Sequence, residues 1–134
     1  MLEYKISATS KVGGSAKATA NQLEISFDAS AGRDNILPNP AELLLTSLAA
    51  CILKNVERYS EILHYPYKSA KVTIIGKRSD NPPAMTHIEY NLQIETDIDE
   101  KKLANWRKNI LKFGTISNTL AKSVELKGTI NFLT

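Results

Sequence analysis

One segment limits this chain more than any other. Asn39-Pro40-Ala41-Glu42 opens a run that is apolar on nearly every side from Ala41 to Leu53. Asn is a good N-cap, Pro40 suits the first helical position, and Glu42 stands three residues after the cap. The spacing predicts a long helix. A helix that is hydrophobic all round must be enclosed on most of its sides. The run is interrupted by Glu42, Thr46 and Ser47 and is shorter than the roughly 18 residues of a membrane span. The enclosure therefore has to come from protein. Beyond Cys51 the pattern becomes amphipathic, with Ile52, Val56, Tyr59 and Leu63 on one face, and Pro66 is the predicted stop.

The rest of the chain offers sheet to cover it. Tyr4, Ile6 and Ala8 alternate with polar residues, as do Leu23, Ile25 and Phe27. Gly13-Gly14 marks a turn, Ala16 to Ala20 a weaker strand, and residues 29–38 a loop rich in Gly, Asp, Asn and Pro. After the helix, Ala70 to Lys77 and His87 to Thr96 read as a hairpin across Asp80-Asn81-Pro82-Pro83. A second helix follows from about Asp99, with the stripe Leu103, Trp106, Ile110 and Phe113 and with Gly114 as its C-terminal cap. A helical turn over Ser117 to Lys122 and a strand over Val124 to Phe132 complete the order. Grouped strands separated from helices predict an α+β fold with a mainly antiparallel sheet and a long central helix. At 134 residues and 43% hydrophobic content, one domain over residues 1–134 is expected. One sheet covers one face of the helix, and a second subunit is expected to cover the other.

Composition narrows the function classes. The net charge is only +3, and no basic run is interleaved with aromatic residues, which argues against nucleic acid. A single cysteine excludes an intramolecular disulfide, and the start Met1-Leu2-Glu3-Tyr4-Lys5 does not resemble a signal peptide. The expected location is cytoplasmic, with no membrane partner. His64 and His87 have no Cys, Asp or Glu at metal-ligand spacing, so neither a metal nor a cofactor is expected.

Cys51 is then the residue on which function turns. It is either a small core filler or a reactive sulfur in a shielded pocket, and a reactive thiol needs a group that favours the thiolate. Arg33, in the loop before the helix, is the best cation for that task, or else an exposed loop arginine. Glu42 is the nearest carboxylate on the helix, or else the partner of Asn39 in a capping box. Nine residues separate Glu42 from Cys51, roughly 13 Å of rise and about half a turn, so the two meet only across a subunit interface.

The segments Asn39-Pro40-Ala41-Glu42-Leu43, Ala49-Ala50-Cys51, Ile116-Ser117-Asn118-Thr119-Leu120 and Val124-Glu125-Leu126 resemble the motifs of the OsmC/Ohr family. These are the osmotically inducible protein C and organic hydroperoxide resistance proteins. The resemblance covers nearly the whole chain and implies an intertwined homodimer with the long helices at its centre. It also implies reduction of organic hydroperoxides by two cysteines, one attacking as a thiolate and one resolving the sulfenic acid as a disulfide. An arginine and a glutamate hold the thiolate, in one branch across the subunit interface.

Cys51 matches the attacking cysteine. Gly114 stands where the second cysteine belongs, Ala41 stands at the glutamate position with Glu42 one residue late, and Arg33 lies about two residues from its expected place. Ser15 occupies the alternative arginine position after Gly13-Gly14. A one-residue shift turns a helical side chain by about 100°. Three readings follow. One is a one-cysteine hydroperoxide reductase using Cys51, Arg33 and Glu42 with an external thiol. The second is a non-catalytic dimer that binds an apolar, acyl or thioester small molecule. A purely structural Cys51 in an interaction protein is the third.

Overall fold

The computed structural model describes residues 1–133 and divides the chain into two compact units, Met1–Leu44 and a second that begins at Leu45. Nine elements run in the order β1 (Ser7–Ser10), β2 (Ser15–Ala20), β3 (Leu23–Asp28), α1 (Pro40–Leu63), β4 (Ser69–Asp80), β5 (Pro83–Glu95), α2 (Glu100–Lys112), α3 (Thr115–Leu120) and β6 (Glu125–Phe132). The α+β class holds.

In the first unit, β1, β2 and β3 form an antiparallel meander. Its first turn needs glycine. Gly13 and Gly14 have φ of 97° and 93°, and a Cβ on Gly14 would run into the backbone of Ser30. The register set by that turn pairs Ser10 with Ala16, so β1 begins at Ser7. Tyr4 and most of the alternation read from it precede the paired strand, and Tyr4 and Ile6 are exposed. The loop after β3 is organised by two carboxylates. Asp28, almost fully buried, accepts from the Ser30 N–H at 2.8 Å, the Ser30 hydroxyl at 2.5 Å and the Asp34 N–H at 3.3 Å. Asp34 in turn accepts from the N–H groups of Ile36 and Leu37. The Asp28 N–H donates to the Pro38 carbonyl and closes the loop at its base.

α1 begins as predicted. The Glu42 N–H donates to Asn39 Oδ1 at 2.9 Å and the Asn39 N–H to Glu42 Oε1 at 3.2 Å, a complete capping box. It ends at Leu63 rather than at Pro66, because His64 takes a left-handed conformation (φ 59°) and the Tyr65 N–H returns to the Ser60 carbonyl. His64 thus closes the helix through its backbone.

In the second unit, β4 and β5 pair antiparallel over a hairpin that runs through Asp80 and Pro83, longer than the alternation alone suggested. β6 joins β5 in parallel, after a crossover through α2 and α3. The inward face of this sheet supplies Ile88, Tyr90, Leu92, Ile94 and Ile130, and the helices supply Leu48, Ile52, Val56, Tyr59, Leu103, Trp106, Ile110 and Leu120. Phe113, expected in the core, is half exposed and stacks on Tyr59 with ring centroids 5.5 Å apart.

The Asp28 network has a pH signature. The hydrogen bonds from Ser30 hold the Asp28 carboxyl below the usual aspartate range, with smaller contributions from the Asp34 N–H and the Arg33 charge. A depressed folded-state value means a stabilisation that is present at neutral pH and lost as pH falls below the ordinary aspartate value of about 3.9. Thermal melts of wild type and Asp28→Asn are expected to differ most at pH 7 and to converge toward pH 3. A pH-independent difference would show that the carboxylate charge contributes nothing.

Candidate functional site

Cys51 lies on α1 in the second unit, half-buried, with the fully buried Leu48 and the buried Ile52 as neighbours on the helix. Its surroundings are fixed by two hydrogen bonds that begin one turn further on. The buried Asn55 side chain donates from Nδ2 to the Ile110 carbonyl at 3.2 Å. Trp106 donates from Nε1 to the Val56 carbonyl at 3.3 Å. Each joins α1 to α2 across 50 or more residues of chain, inside the core, where a lost partner would leave a buried polar group unsatisfied. Together they anchor the C-terminal half of α2 and so carry Phe113 and Gly114 to α1.

The corner between α2 and α3 is shaped by Asn118 and Ser117. Asn118 donates from Nδ2 to the Lys112 carbonyl at 3.1 Å and from its N–H to the Gly114 carbonyl at 2.9 Å. Gly114 has φ of −83°, a conformation open to any residue, and caps the start of α3. The sequence expectation of a C-terminal cap at Gly114 is therefore corrected: Phe113 ends α2. What the glycine provides is space. A Cβ placed there would overlap the Ser117 hydroxyl and would lie 3.4 Å from Cys51 Sγ. Ser117 is 6% exposed, and its hydroxyl donates to the Gly114 carbonyl at 3.1 Å. The residue opposite the sulfur is thus a serine hydroxyl that enters from the next turn.

Arg33 is an exposed residue of the loop that Asp28 organises, in the first unit. Its charge helps to lower the Asp28 carboxyl. Glu42, also in the first unit, spends one carboxylate oxygen on the Asn39 N–H. The capping reading of Glu42 is realised in full. Sequence reasoning missed Asn55 and Ser117. Asn55 carries a signal, a polar residue among the apolar positions of the α1 stripe. Ser117 carries none beyond its place in the second motif.

His87 and Glu125 come together through the parallel β5–β6 register, with Nε2 2.9 Å from Glu125 Oε2, and Lys127 Nζ lies 2.8 Å from Glu125 Oε1. Hydrogen bonding and charge from Lys127, and the charge of His87, lower the Glu125 carboxyl. The cluster is exposed on the outer face of the sheet, beside a groove lined by Ile75, Lys77, Glu89 and Lys127, and pairs of this kind contribute little to stability.

The spacing above Gly114 makes a test. In a disulfide, one Cβ lies about 3 Å from the partner sulfur. A Gly114→Cys variant, with Ser117 turned about χ1, is expected to form an intrachain disulfide between Cys51 and the introduced thiol under mild oxidation. Intact mass under non-reducing conditions reads it as the loss of two hydrogens per chain. Mixed adducts on two free thiols would contradict the geometry.

The comparisons agree with this architecture. Residues 32–128 match the family model described as OsmC-like protein. No curated protein matches the chain. Among solved structures, an OsmC-like protein from Mycoplasma pneumoniae is similar at a TM-score of 0.89 and 20% identity, covering 99% of each chain. A putative osmotic stress induced and detoxification response protein from Psychrobacter arcticus is similar at 0.83 and 16%, covering 97% of each. An organic hydroperoxide resistance protein from Elizabethkingia anophelis is similar at 0.74 and 15%, covering 98% of this chain and 99% of the other. With the family model spanning well over half of its length, and with Cys51, Gly114 and Ser117 in the arrangement described, the chain belongs to the OsmC-like family.

Proposed function

We propose that this protein is a cytoplasmic homodimer and a one-cysteine, thiol-dependent reductase of organic hydroperoxides. The observation that carries the reading is the placement of Cys51: a half-buried thiol facing Gly114, the position at which its family holds a second cysteine, with the Ser117 hydroxyl beside it. In the first step the Cys51 thiolate attacks the distal peroxide oxygen. An S–O bond forms, the O–O bond breaks, the sulfur is oxidised by two electrons, and the alkoxide leaves as an alcohol after taking a proton. An external thiol then forms a mixed disulfide with loss of water. A second thiol releases Cys51 and departs as the external disulfide. Arg33 holds the thiolate and Glu42 orients the arginine, contributed across the subunit interface.

Dimerisation is supported by α1 itself. Leu53 remains 36% exposed and Ala50 is also exposed in the run from Ala41 to Leu53 that is apolar nearly all round. No helix among the described residues is long and apolar enough to cross a membrane.

A second reading is favoured by the first turn of α1. Ala41 replaces the family glutamate, and the Glu42 carboxylate is engaged by Asn39. In that reading the protein is a non-catalytic dimer whose pocket, lined by Cys51, holds an apolar, acyl or thioester small molecule.

Stopped-flow oxidation by an alkyl hydroperoxide, followed by sulfenic acid trapping and intact mass, distinguishes them. The first reading expects one added oxygen at Cys51, reversed by thiol, with no adduct in Cys51→Ser. Arg33→Gln is expected to slow the step about tenfold at neutral pH, through loss of the charge that holds the thiolate. An inert Cys51 together with a co-purified small molecule in native mass spectra would replace the first reading by the second. A monomer by analytical ultracentrifugation would remove the interface that both readings need.

A further inference from the structure

The Ser117 hydroxyl stands beside the space that a side chain at position 114 would enter. The side chain is more than nine-tenths buried. Its one hydrogen bond as a donor goes to the carbonyl of Gly114, three residues back, so it ties no distant elements together. Among the described residues nothing donates to Ser117 Oγ, and its lone pairs stay open. A Cβ on Gly114 would overlap Ser117 Oγ and lie 3.4 Å from Cys51 Sγ, so the hydroxyl and the sulfur flank the same space. A buried hydroxyl with its proton committed and its acceptor side free, beside a half-buried thiol, matches a group that carries an O–H on that sulfur. Cys51 as a thiolate carries no such group. Its sulfenic acid does.

We propose that Ser117 accepts the hydrogen bond of the Cys51 sulfenic acid and keeps that acid protonated until an external thiol resolves it. The inference rests on the peroxidase reading of Cys51. Its chemical content is protection. Over-oxidation requires a second hydroperoxide to be attacked by the sulfenic sulfur, which is most nucleophilic as the deprotonated sulfenate. An acceptor that holds the proton on oxygen disfavours the sulfenate. It also leaves the sulfur electrophilic toward an incoming thiolate, which forms the S–S bond as water leaves. A two-cysteine relative consumes its sulfenic acid within the chain. In this chain the intermediate must persist until an external thiol arrives, so a group that prolongs its life takes the place of the group that would have ended it.

The test compares wild type, Ser117→Ala and Ser117→Thr. Each is treated first with one equivalent and then with excess cumene hydroperoxide, without added thiol, and followed by intact mass. Ser117→Ala is expected to raise the rate of passage to the two-oxygen sulfinic form, relative to its own rate of first oxidation, about fivefold over wild type, the effect of losing one hydrogen bond. Ser117→Thr, which keeps a hydroxyl, is expected to retain the wild-type lifetime. A merely structural serine would change melting temperature or both oxidation rates together, without altering their ratio. Equal sulfenic acid lifetimes in wild type and Ser117→Ala overturn the proposal and leave the peroxidase reading intact. Absence of the first adduct in wild type overturns the peroxidase reading, and the role of Ser117 with it.

Discussion

The second unit depends on the clamp between α1 and α2. Two side chains that are polar at one end, Asn55 and Trp106, each place a donor on a carbonyl of the opposite helix. Apolar packing of Leu103, Ile110 and their neighbours is not directional. Buried hydrogen bonds are directional and costly to leave unmade, so they fix the register. Everything downstream inherits that register: the stacking of Phe113 on Tyr59, the position of Gly114 and the entry angle of α3. The surroundings of Cys51 are thus set by a contact one turn away from it.

The parallel β5–β6 pairing depends on the same arrangement. A parallel neighbour requires a long crossover, and α2 with α3 supplies it. Tyr90 sits at the junction, buried under the helices and packed over Gly128, where a Cβ would meet its ring. The glycine lets the edge strand approach an aromatic ring that no smaller residue replaces. Sheet, crossover and helix clamp therefore specify a single core, from Leu48 to Ile130.

What the sequence revealed divides along the range of the interactions. Local signals read correctly: the Asn39–Glu42 box, the start of α2 at Asp99, whose carboxylate accepts from the Lys102 N–H, and the strict alternation of β5. Each depends on residues three or fewer apart, or on a period of two. Long-range features did not read. Nothing local says that β6 lies parallel to β5, or that the strand from Tyr4 begins to pair only at Ser7, because partner registers decide both. Phe113 followed the helical stripe faithfully, yet the helix ends beneath it and its ring stays half in water. At the site, Cys51 and Gly114 were legible through their motifs. Ser117 was not, since its significance is a proximity to a sulfur far back along the chain.

Gly114 has a consequence that concerns how such proteins change. Glycine and cysteine codons can differ by one base, and the atom that a Cβ at this position would overlap is a hydroxyl on a single rotatable bond. The backbone there is already in a conformation open to any residue, so no loop need be remodelled. A one-cysteine and a two-cysteine protein on this scaffold stand one base change and one rotamer apart. The presence or absence of a second sulfur beside Cys51 is thus a shallow step for this fold.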